Sequence, residues 1–159
     1  MVLEIKGDIR ETPIRTIAHG VNCQGVMGSG VARALFEKWP EVREHYIQFH
    51  EQQRKKGKID KDFLGFNQTV PASKKIIINM HTQLNFGSGD SQYVDYAAVL
   101  QCFDSLKYDF GSHDRVLAVP RIGAGLAGGD WETIKNIMVS KTQEQNIDLV
   151  IYSLTSDKK

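Results

Sequence analysis

A histidine and an asparagine stand directly before a run of glycines near the start of the chain. The stretch from His19 to Ala32 reads HGVNCQGVMGSGVA, with His19 three residues before Asn22. An imidazole suits acid–base work near neutral pH, and backbone N–H groups at closely spaced glycines can converge on an anion. We predict an anion site here, with His19 and Asn22 as catalytic residues. The alternative for His19 is a core histidine bonded to the backbone, the usual role of a single histidine on an apolar strand.

A second glycine loop lies far along the chain, between an apolar strand and a helix. It reads PRIGAGLAGGDW from Pro120 to Trp131. Two such loops favour a ligand that is bound from two sides, such as a diphosphate. The loop contains G-x-G-x-x-G, but a dinucleotide fingerprint belongs to the first half of a long alternating array, whereas one helix and one strand follow here. Neither loop ends in Gly-Lys-Ser/Thr, which argues against a P-loop and ATP hydrolysis.

Three further polar residues are candidates, each with a structural alternative. His81 follows a buried strand and is a second candidate acid or base. Asp130 is a further catalytic candidate, although we favour a role as the cap of the last helix. Asp8 follows the first strand, where it either binds a ligand or caps a turn. Cys23 and Cys102 have no metal-ligand spacing, so we predict neither a metal nor a cofactor.

Strands and helices must place these residues together. Apolar alternation and continuous apolar runs predict strands over 2–6, 15–21, 63–70, 74–80, 116–119 and 148–154, and helical spacing predicts helices after the first loop to the stop at Trp39-Pro40 and over 41–56, 93–108 and 131–144. The order predicts a three-layer α/β/α sandwich with a mixed, largely parallel sheet. Ligands bind at the carboxyl ends of such strands, where Asp8, Asn22, His81 and Gly123 all fall.

Composition bounds the remaining possibilities. The chain has 159 residues, 41% of them hydrophobic, which predicts one domain over 1–154 and a frayed tail over 155–159. A net charge of +1 is unlike that of a dedicated nucleic-acid binder. There is no signal segment and no apolar run of about 18 residues, so we expect no membrane contact and a cytoplasmic location. We also expect a monomer.

These motifs together resemble those of a macrodomain, the fold that binds ADP-ribose. The resemblance covers almost the whole chain: the Gly7-Asp8-Ile9 turn, NCQGVMGSGVA from Asn22, PRIGAG from Pro120, Asp130-Trp131-Glu132 and the last strand. It implies that Asp8 binds the adenine amine, that Asn22 faces the distal ribose, and that the two loops enclose the diphosphate. The predicted ligand-binding set is Asp8, Ile9, Asn22, Gly25, Met27, Gly28, Ser29, Gly30, Val31, Ile122, Gly123, Ala124, Gly125 and Leu126.

Within this family, the chain resembles the branch of ADP-ribose-1″-phosphate phosphatases and ADP-ribosyl glycohydrolases. The resemblance implies a catalytic lysine for a glycohydrolase just after the strand at 74–80, but His81-Thr82-Gln83 contains none. Some glycohydrolases add an aspartate in the second loop, where this chain has Ala127. The run from His19 to Gly25 resembles the phosphatases instead.

We therefore expect an enzyme that binds ADP-ribose and removes the phosphate of ADP-ribose-1″-phosphate. The alternatives are a glycohydrolase that acts on ADP-ribosylated protein or nucleic acid, and a non-catalytic ADP-ribose reader. In this interpretation nucleic acid enters only as an ADP-ribosylated substrate.

Overall fold

A twisted sheet forms the centre of the protein in the computed structural model, which describes residues 1–28, 30–85, 92–111, 114–125 and 127–154. Its strands within these ranges are β1 (Val2–Lys6), β2 (Thr16–Asn22), β3 (Asn67–Ala72), β4 (Lys75–Gln83), β5 (Val116–Val119) and β6 (Asp148–Ser153). They are ordered β1-β6-β5-β2-β4-β3, and among them only β3 pairs antiparallel. The mixed, largely parallel sheet is as predicted.

Helices cover both faces of this sheet. They are α1 (Gly30–Lys38), α2 (Glu41–Lys55), α3 (Asp60–Phe63), α4 (Tyr96–Asp104) and α5 (Trp131–Glu144). Leu35 of α1 and Val42 of α2 pack on one face with Ile17, whereas Phe103 of α4 and Ile134 of α5 pack on the other face in a second cluster. Burial on both faces explains why the central strands are continuous apolar runs. The predicted three-layer α/β/α fold is confirmed.

Several element boundaries differ from the sequence prediction. The strand predicted from Phe63 begins at Asn67, because Phe63 ends the short helix α3, whose start is capped by Asp62 Oδ2 accepting from the Ile59 N–H at 2.8 Å. The helix predicted from Tyr93 begins at Tyr96, since the Asp95 side chain caps it by accepting from the Ala98 N–H at 3.0 Å. Hydrogen bonds from capping side chains therefore explain why these observed boundaries differ from the predicted ones by a few residues.

The end of β4 also differs from the prediction. The strand continues through His81 to Gln83 instead of ending at Met80. His81 and Thr82 are both fully buried. The prediction that His81 lies just past the end of its strand is therefore wrong, because parallel pairing with β2 extends to Gln83. The predicted tail over 155–159 lies outside the described residues.

Candidate functional site

The carboxyl ends of five parallel strands meet at one edge of the sheet, and both glycine loops start there. Loop 1 (residues 22–30) follows β2 and leads into α1, and loop 2 (residues 120–130) follows β5 and leads into α5. Loop 2 lies against the end of β2, because a Cβ atom on Gly20 would stand 3.3 Å from Ile122 Cγ2. The two loops therefore border the same edge of the sheet, where Asp8 also follows β1.

The Asn22 side chain shapes loop 1 from within. Its Oδ1 accepts from the Gln24 N–H at 2.9 Å and from the Tyr46 hydroxyl at 2.9 Å. Its Nδ2 donates to the Val26 carbonyl oxygen at 2.7 Å. The residue is 8% exposed, so most of its amide is committed to the loop itself.

Side chains of α2 hold loop 1 from outside. The Tyr46 hydroxyl donates to the Asn22 carbonyl oxygen at 2.7 Å, and Arg54 Nη2 donates to the Cys23 carbonyl oxygen at 2.7 Å. Gly25 has a φ of +76°, and a Cβ atom there would stand 3.4 Å from the His50 side chain. Neither Tyr46 nor Arg54 was predicted as a site residue from the sequence, although Tyr46, His50 and Arg54 stand four residues apart, which is the spacing of one helix face.

Loop 2 is held mainly by its own backbone. The Gly129 N–H donates to the Gly123 carbonyl oxygen at 2.8 Å, and the Gly128 N–H donates to the Gly125 carbonyl oxygen at 3.1 Å. Gly123 has a φ of +74°, and a Cβ atom there would stand 2.7 Å from Val94 Cγ2. Gly123 is therefore required by packing and by backbone conformation together.

Three loop glycines face open space. A Cβ atom on Gly28, Gly30 or Gly125 would have no described protein atom within 4 Å. Gly30 has a φ of +62°, but Gly28 and Gly125 are not in the left-handed region. The described packing and backbone thus give no reason for glycine at Gly28 and Gly125. Their bare backbone leaves room for a ligand to approach N–H groups closely, and the N-terminus of α1, which begins at Gly30, adds positive dipole near Gly28.

Asp8 forms a tight ion pair with its neighbour. Arg10 donates to the Asp8 carboxylate from its backbone N–H at 2.9 Å, from Nε at 3.0 Å and from Nη2 at 2.6 Å. The side-chain hydrogen bond from Arg10 lowers the pKa of Asp8 below its usual value. The carboxylate, 34% exposed, caps the three-residue 3-10 helix at Ile9–Glu11, so the turn-capping alternative is observed.

The His19 side chain is buried in the interior and pairs with Asn79. The residue is 1% exposed, and its Nε2 lies 2.5 Å from Asn79 Oδ1 inside the sheet–helix interface. Asn79 Nδ2 donates in turn to the Val42 carbonyl oxygen at 3.2 Å and to Gln68 Oε1 at 3.1 Å. Burial lowers the pKa of His19 from 6.5 to about 4, so its imidazole is neutral at physiological pH. This geometry favours the core-histidine alternative, which the sequence alone left open.

His81 lies in a buried aromatic cluster. Its Nδ1 is 2.9 Å from the Phe66 carbonyl oxygen, and its Nε2 is 2.9 Å from His50 Nε2. Burial lowers the pKa of both histidines from 6.5 to about 4, and for His50 the neighbouring His81 adds to this effect. The pair contacts Phe63 and Tyr46, and the His50 side chain also lies beside Gly25 of loop 1.

Asp130 caps α5 as the sequence analysis favoured. Its Oδ2 accepts from the Thr133 N–H at 3.0 Å and from Thr133 Oγ1 at 2.7 Å. Both hydrogen bonds lower the pKa of Asp130, the side-chain bond more than the backbone bond. The carboxylate is therefore an ionised cap at neutral pH.

Some of the remaining predicted ligand residues are buried, and others are partly exposed. Ile9, Met27 and Ile122 are buried core residues. Val31, in the first turn of α1, is 38% exposed, and Ala124 is half-buried. Ser29 and Leu126 lie outside the described residues.

Two further findings bear on ligands and surroundings. Across the described ranges, the side chains include no group of three or more His, Cys, Asp or Glu residues arranged to hold a metal ion. No helix in those ranges is both long and apolar enough to span a membrane.

Several known proteins are similar to this chain along most of its length. Over 158 residues the chain is 30% identical to an uncharacterised 17.5 kDa protein of phage T4, with 95% of each chain covered. Over 156 residues it is 29% identical to the DNA ADP-ribosyl glycohydrolase of Mycobacterium tuberculosis, covering 96% of this chain but 42% of that protein. It is 25% identical to the ADP-ribose 1″-phosphate phosphatase of Scheffersomyces stipitis, covering 94% of this chain and all of that protein.

A solved structure gives the same result for the fold. The macrodomain of Mycobacterium tuberculosis DarG superposes with a TM-score of 0.80 at 26% identity, covering 98% of this chain and 99% of that one. The family model of the Macro domain matches residues 18–138, which include both glycine loops. The chain therefore belongs to the Macro domain family.

Proposed function

We propose that the chain binds ADP-ribose across loops 1 and 2 and hydrolyses an ADP-ribose derivative at the distal ribose. The observation that carries this proposal is the bare backbone of Gly28, Gly30 and Gly125, glycines that face open space at the carboxyl edge of a parallel sheet. Such a surface suits a diphosphate, whose oxygens need N–H donors at close approach.

The loops divide the work of binding in this proposal. Loop 1 and the first turn of α1, including Val31, bind the diphosphate and the distal ribose. Residues 122–125 of loop 2 bind the diphosphate from the opposite side. Asp8 binds the adenine amine, and Asn22 acts mainly by holding loop 1 in shape, since its amide is already hydrogen bonded within that loop.

The proposed substrate is ADP-ribose-1″-phosphate. Of the three residues where the family resemblance places a glycohydrolase lysine, His81 and Thr82 are fully buried, and Gln83 is the partly exposed one. Gln83 Nε2 donates to the Asn85 carbonyl oxygen at 2.8 Å. A neutral amide cannot form the covalent adduct with the sugar that a lysine amine forms. The similarity to a phosphatase along almost its whole length also supports this substrate.

The second candidate is a glycohydrolase that removes ADP-ribose from nucleic acid. The mycobacterial DNA ADP-ribosyl glycohydrolase is the more similar of the two named enzymes, at 29% identity against 25%. With Gln83 in place of a lysine, this reaction would proceed by attack of water instead of an amine.

Product analysis separates these candidates. We expect phosphate and ADP-ribose from ADP-ribose-1″-phosphate, and no release of ADP-ribose from an ADP-ribosylated oligonucleotide. Release from the oligonucleotide alone would establish the second candidate, and no product from either would establish a reader.

Calorimetry tests the binding surface directly. Wild-type protein should bind ADP-ribose equally in EDTA and in divalent cations. Gly125→Ala should weaken binding at least tenfold, because its methyl group occupies the space proposed for the diphosphate. Unchanged affinity in Gly125→Ala would contradict the placement of the ligand.

A further inference from the structure

One face of α2 is directed at loop 1 and carries no role in the proposed reaction. Tyr46, His50 and Arg54 stand one helical turn apart and contact three successive parts of the loop. Tyr46 reaches Asn22, Arg54 reaches the Cys23 carbonyl oxygen, and the His50 ring lies beside Gly25. A helix outside the ligand site thus supports the loop at the point where it leaves the strand.

The Tyr46 hydroxyl makes the most specific of these contacts. The side chain is fully buried, and its hydroxyl lies 2.7 Å from the carbonyl oxygen and 2.9 Å from Oδ1 of Asn22. Burial raises the pKa of Tyr46 well above its usual value, while the nearby backbone N–H groups of Gly25 and Val26 act in the opposite direction. The hydroxyl is therefore a neutral hydrogen-bond donor at every physiological pH.

The helix that carries Tyr46 is itself fixed to the sheet one turn earlier. Asn79, which pairs with His19, donates to the Val42 carbonyl oxygen at 3.2 Å. Gln68 Nε2 donates to the His45 carbonyl oxygen at 2.9 Å. These bonds join β2, β3 and β4 to α2, so the position of the Tyr46 hydroxyl is set by the sheet.

Arg54 supplies a second anchor at the other end of the face. Its Nη2 lies 2.7 Å from the Cys23 carbonyl oxygen and 2.7 Å from Asp60 Oδ1 of α3. Its guanidinium carbon is 5.2 Å from the centre of the Phe63 ring. Loop 1 is therefore connected to two helices through hydrogen bonds to its first two residues.

We propose that Tyr46 is a positioning residue for ligand binding, which holds Asn22 so that loop 1 keeps its N–H groups directed at the diphosphate and distal ribose. This inference rests on the proposed function. Tyr46 acts through Asn22 and does not touch the ligand. Its role predicts a loss that is confined to ligands reaching loop 1, because adenosine, which has no phosphate and no distal ribose, depends mainly on the Asp8 end of the site.

The test compares Tyr46→Phe with Tyr152→Phe. Both variants keep a buried aromatic ring and lose one hydroxyl, and Tyr152 donates to or accepts from Thr12 Oγ1 at 2.8 Å, away from loop 1. We expect Tyr46→Phe to weaken ADP-ribose binding about tenfold and to leave the affinity for adenosine within twofold. Tyr152→Phe should leave the ratio of the two affinities unchanged. Equal losses for both ligands in Tyr46→Phe would overturn the proposal.

Hydrogen exchange supplies a readout that needs no ligand. Tyr46→Phe should lower the protection of the backbone amides of residues 24–27 at least fivefold, while the amides of residues 123–129 keep their protection. Uniform loss of protection would show a general structural role and overturn the proposal. Failure of wild-type protein to bind ADP-ribose would overturn the proposed function, and this exchange measurement would still decide whether Tyr46 sets the conformation of loop 1.

Discussion

The two glycine loops border the same edge of the sheet but are stabilised in opposite ways. Loop 1 is held by side chains, chiefly those of Asn22, Tyr46 and Arg54. Loop 2 is held by backbone hydrogen bonds among glycines, and by the close packing of Gly123 and Gly129 against Val94 and Ile134. Loop 1 is therefore sensitive to distant polar residues, whereas loop 2 is sensitive to any added side-chain volume.

The neighbours of each loop extend this contrast. The helix behind loop 1 carries the buried His50, which contacts the buried His81, and it packs on Asn79, the partner of the buried His19. The side chains nearest to the loop 2 glycines Gly123 and Gly129 are those of Val94 and Ile134, which are apolar. Low pH should consequently destabilise loop 1 more than loop 2. Added side-chain volume should destabilise loop 2 more than loop 1.

Acidification should cause the largest loss of stability, and the loss should begin on the loop 1 side of the sheet. His19 has a folded-state pKa of about 4 against 6.5 when unfolded, so the unfolded chain binds more protons between these values. Stability is then fully present above pH 6.5 and falls as the pH approaches 4, by about 3 kcal/mol for this group. His50 and His81 act in the same direction. Urea unfolding at several pH values measures the loss.

Hydrogen exchange at pH 7.5 and pH 5 locates this acid effect. Protection factors, corrected for intrinsic exchange rates, should fall more for residues 24–27 of loop 1 than for residues 123–129 of loop 2. Equal falls in both loops would contradict the difference between them.

Gly129→Ala should break loop 2. A Cβ atom there would stand 2.5 Å from Val94 Cγ1, 2.7 Å from Ile134 Cδ1 and 2.8 Å from the Gly123 carbonyl oxygen. Overpacking of this kind costs about 1–3 kcal/mol, and here the clash includes backbone. Chemical denaturation measures the cost. The matched control is Gly125→Ala in the same loop, which should change stability by less than about 0.5 kcal/mol because its methyl group faces open space.

His19→Ala should act on the loop 1 side of the sheet. The substitution leaves the buried Asn79 amide without its imidazole partner, at a cost of about 1–3 kcal/mol. If His19 is structural, phosphate release per folded molecule should change less than tenfold, measured below the unfolding transition. A catalytic His19 would instead slow release by roughly 10²–10⁴ with ADP-ribose affinity kept. The two roles are therefore separated by one rate measurement.

Asp8→Ala should have the smallest effect, because Asp8 belongs to neither loop. Arg10 already donates three N–H groups to its carboxylate, which leaves little acceptor capacity for an adenine amine. We expect ADP-ribose affinity to fall by about 0.5–1.5 kcal/mol, the net value of one hydrogen bond. Ribose-5-phosphate, which has no adenine, should keep its affinity. A similar loss for both ligands would show that Asp8 only caps its turn.

The sequence by itself determined the layers of the fold and the places of the two loops. Continuous apolar runs such as those of β2 and β4 indicate strands buried on both faces, and Asp130 before the last helix indicates its cap. The motifs also predicted Gly28 and Gly125 as ligand residues, which stays a prediction. These features are local, because each depends on residues that are neighbours in the chain.

Only the tertiary structure decided which polar side chains face the sheet edge. His19 stands three residues before Asn22, yet its ring packs under α2 against Asn79, sixty positions away. A strand that is buried on both faces has apolar residues on both sides. Its sequence therefore shows no apolar–polar alternation from which the direction of a histidine side chain could be predicted. The contact of Tyr46 with loop 1 could not be predicted from the sequence either, because the Tyr46 hydroxyl bonds to Asn22, which is twenty-four positions away in the chain. Contacts between residues so far apart exist only once the helix is packed on the sheet.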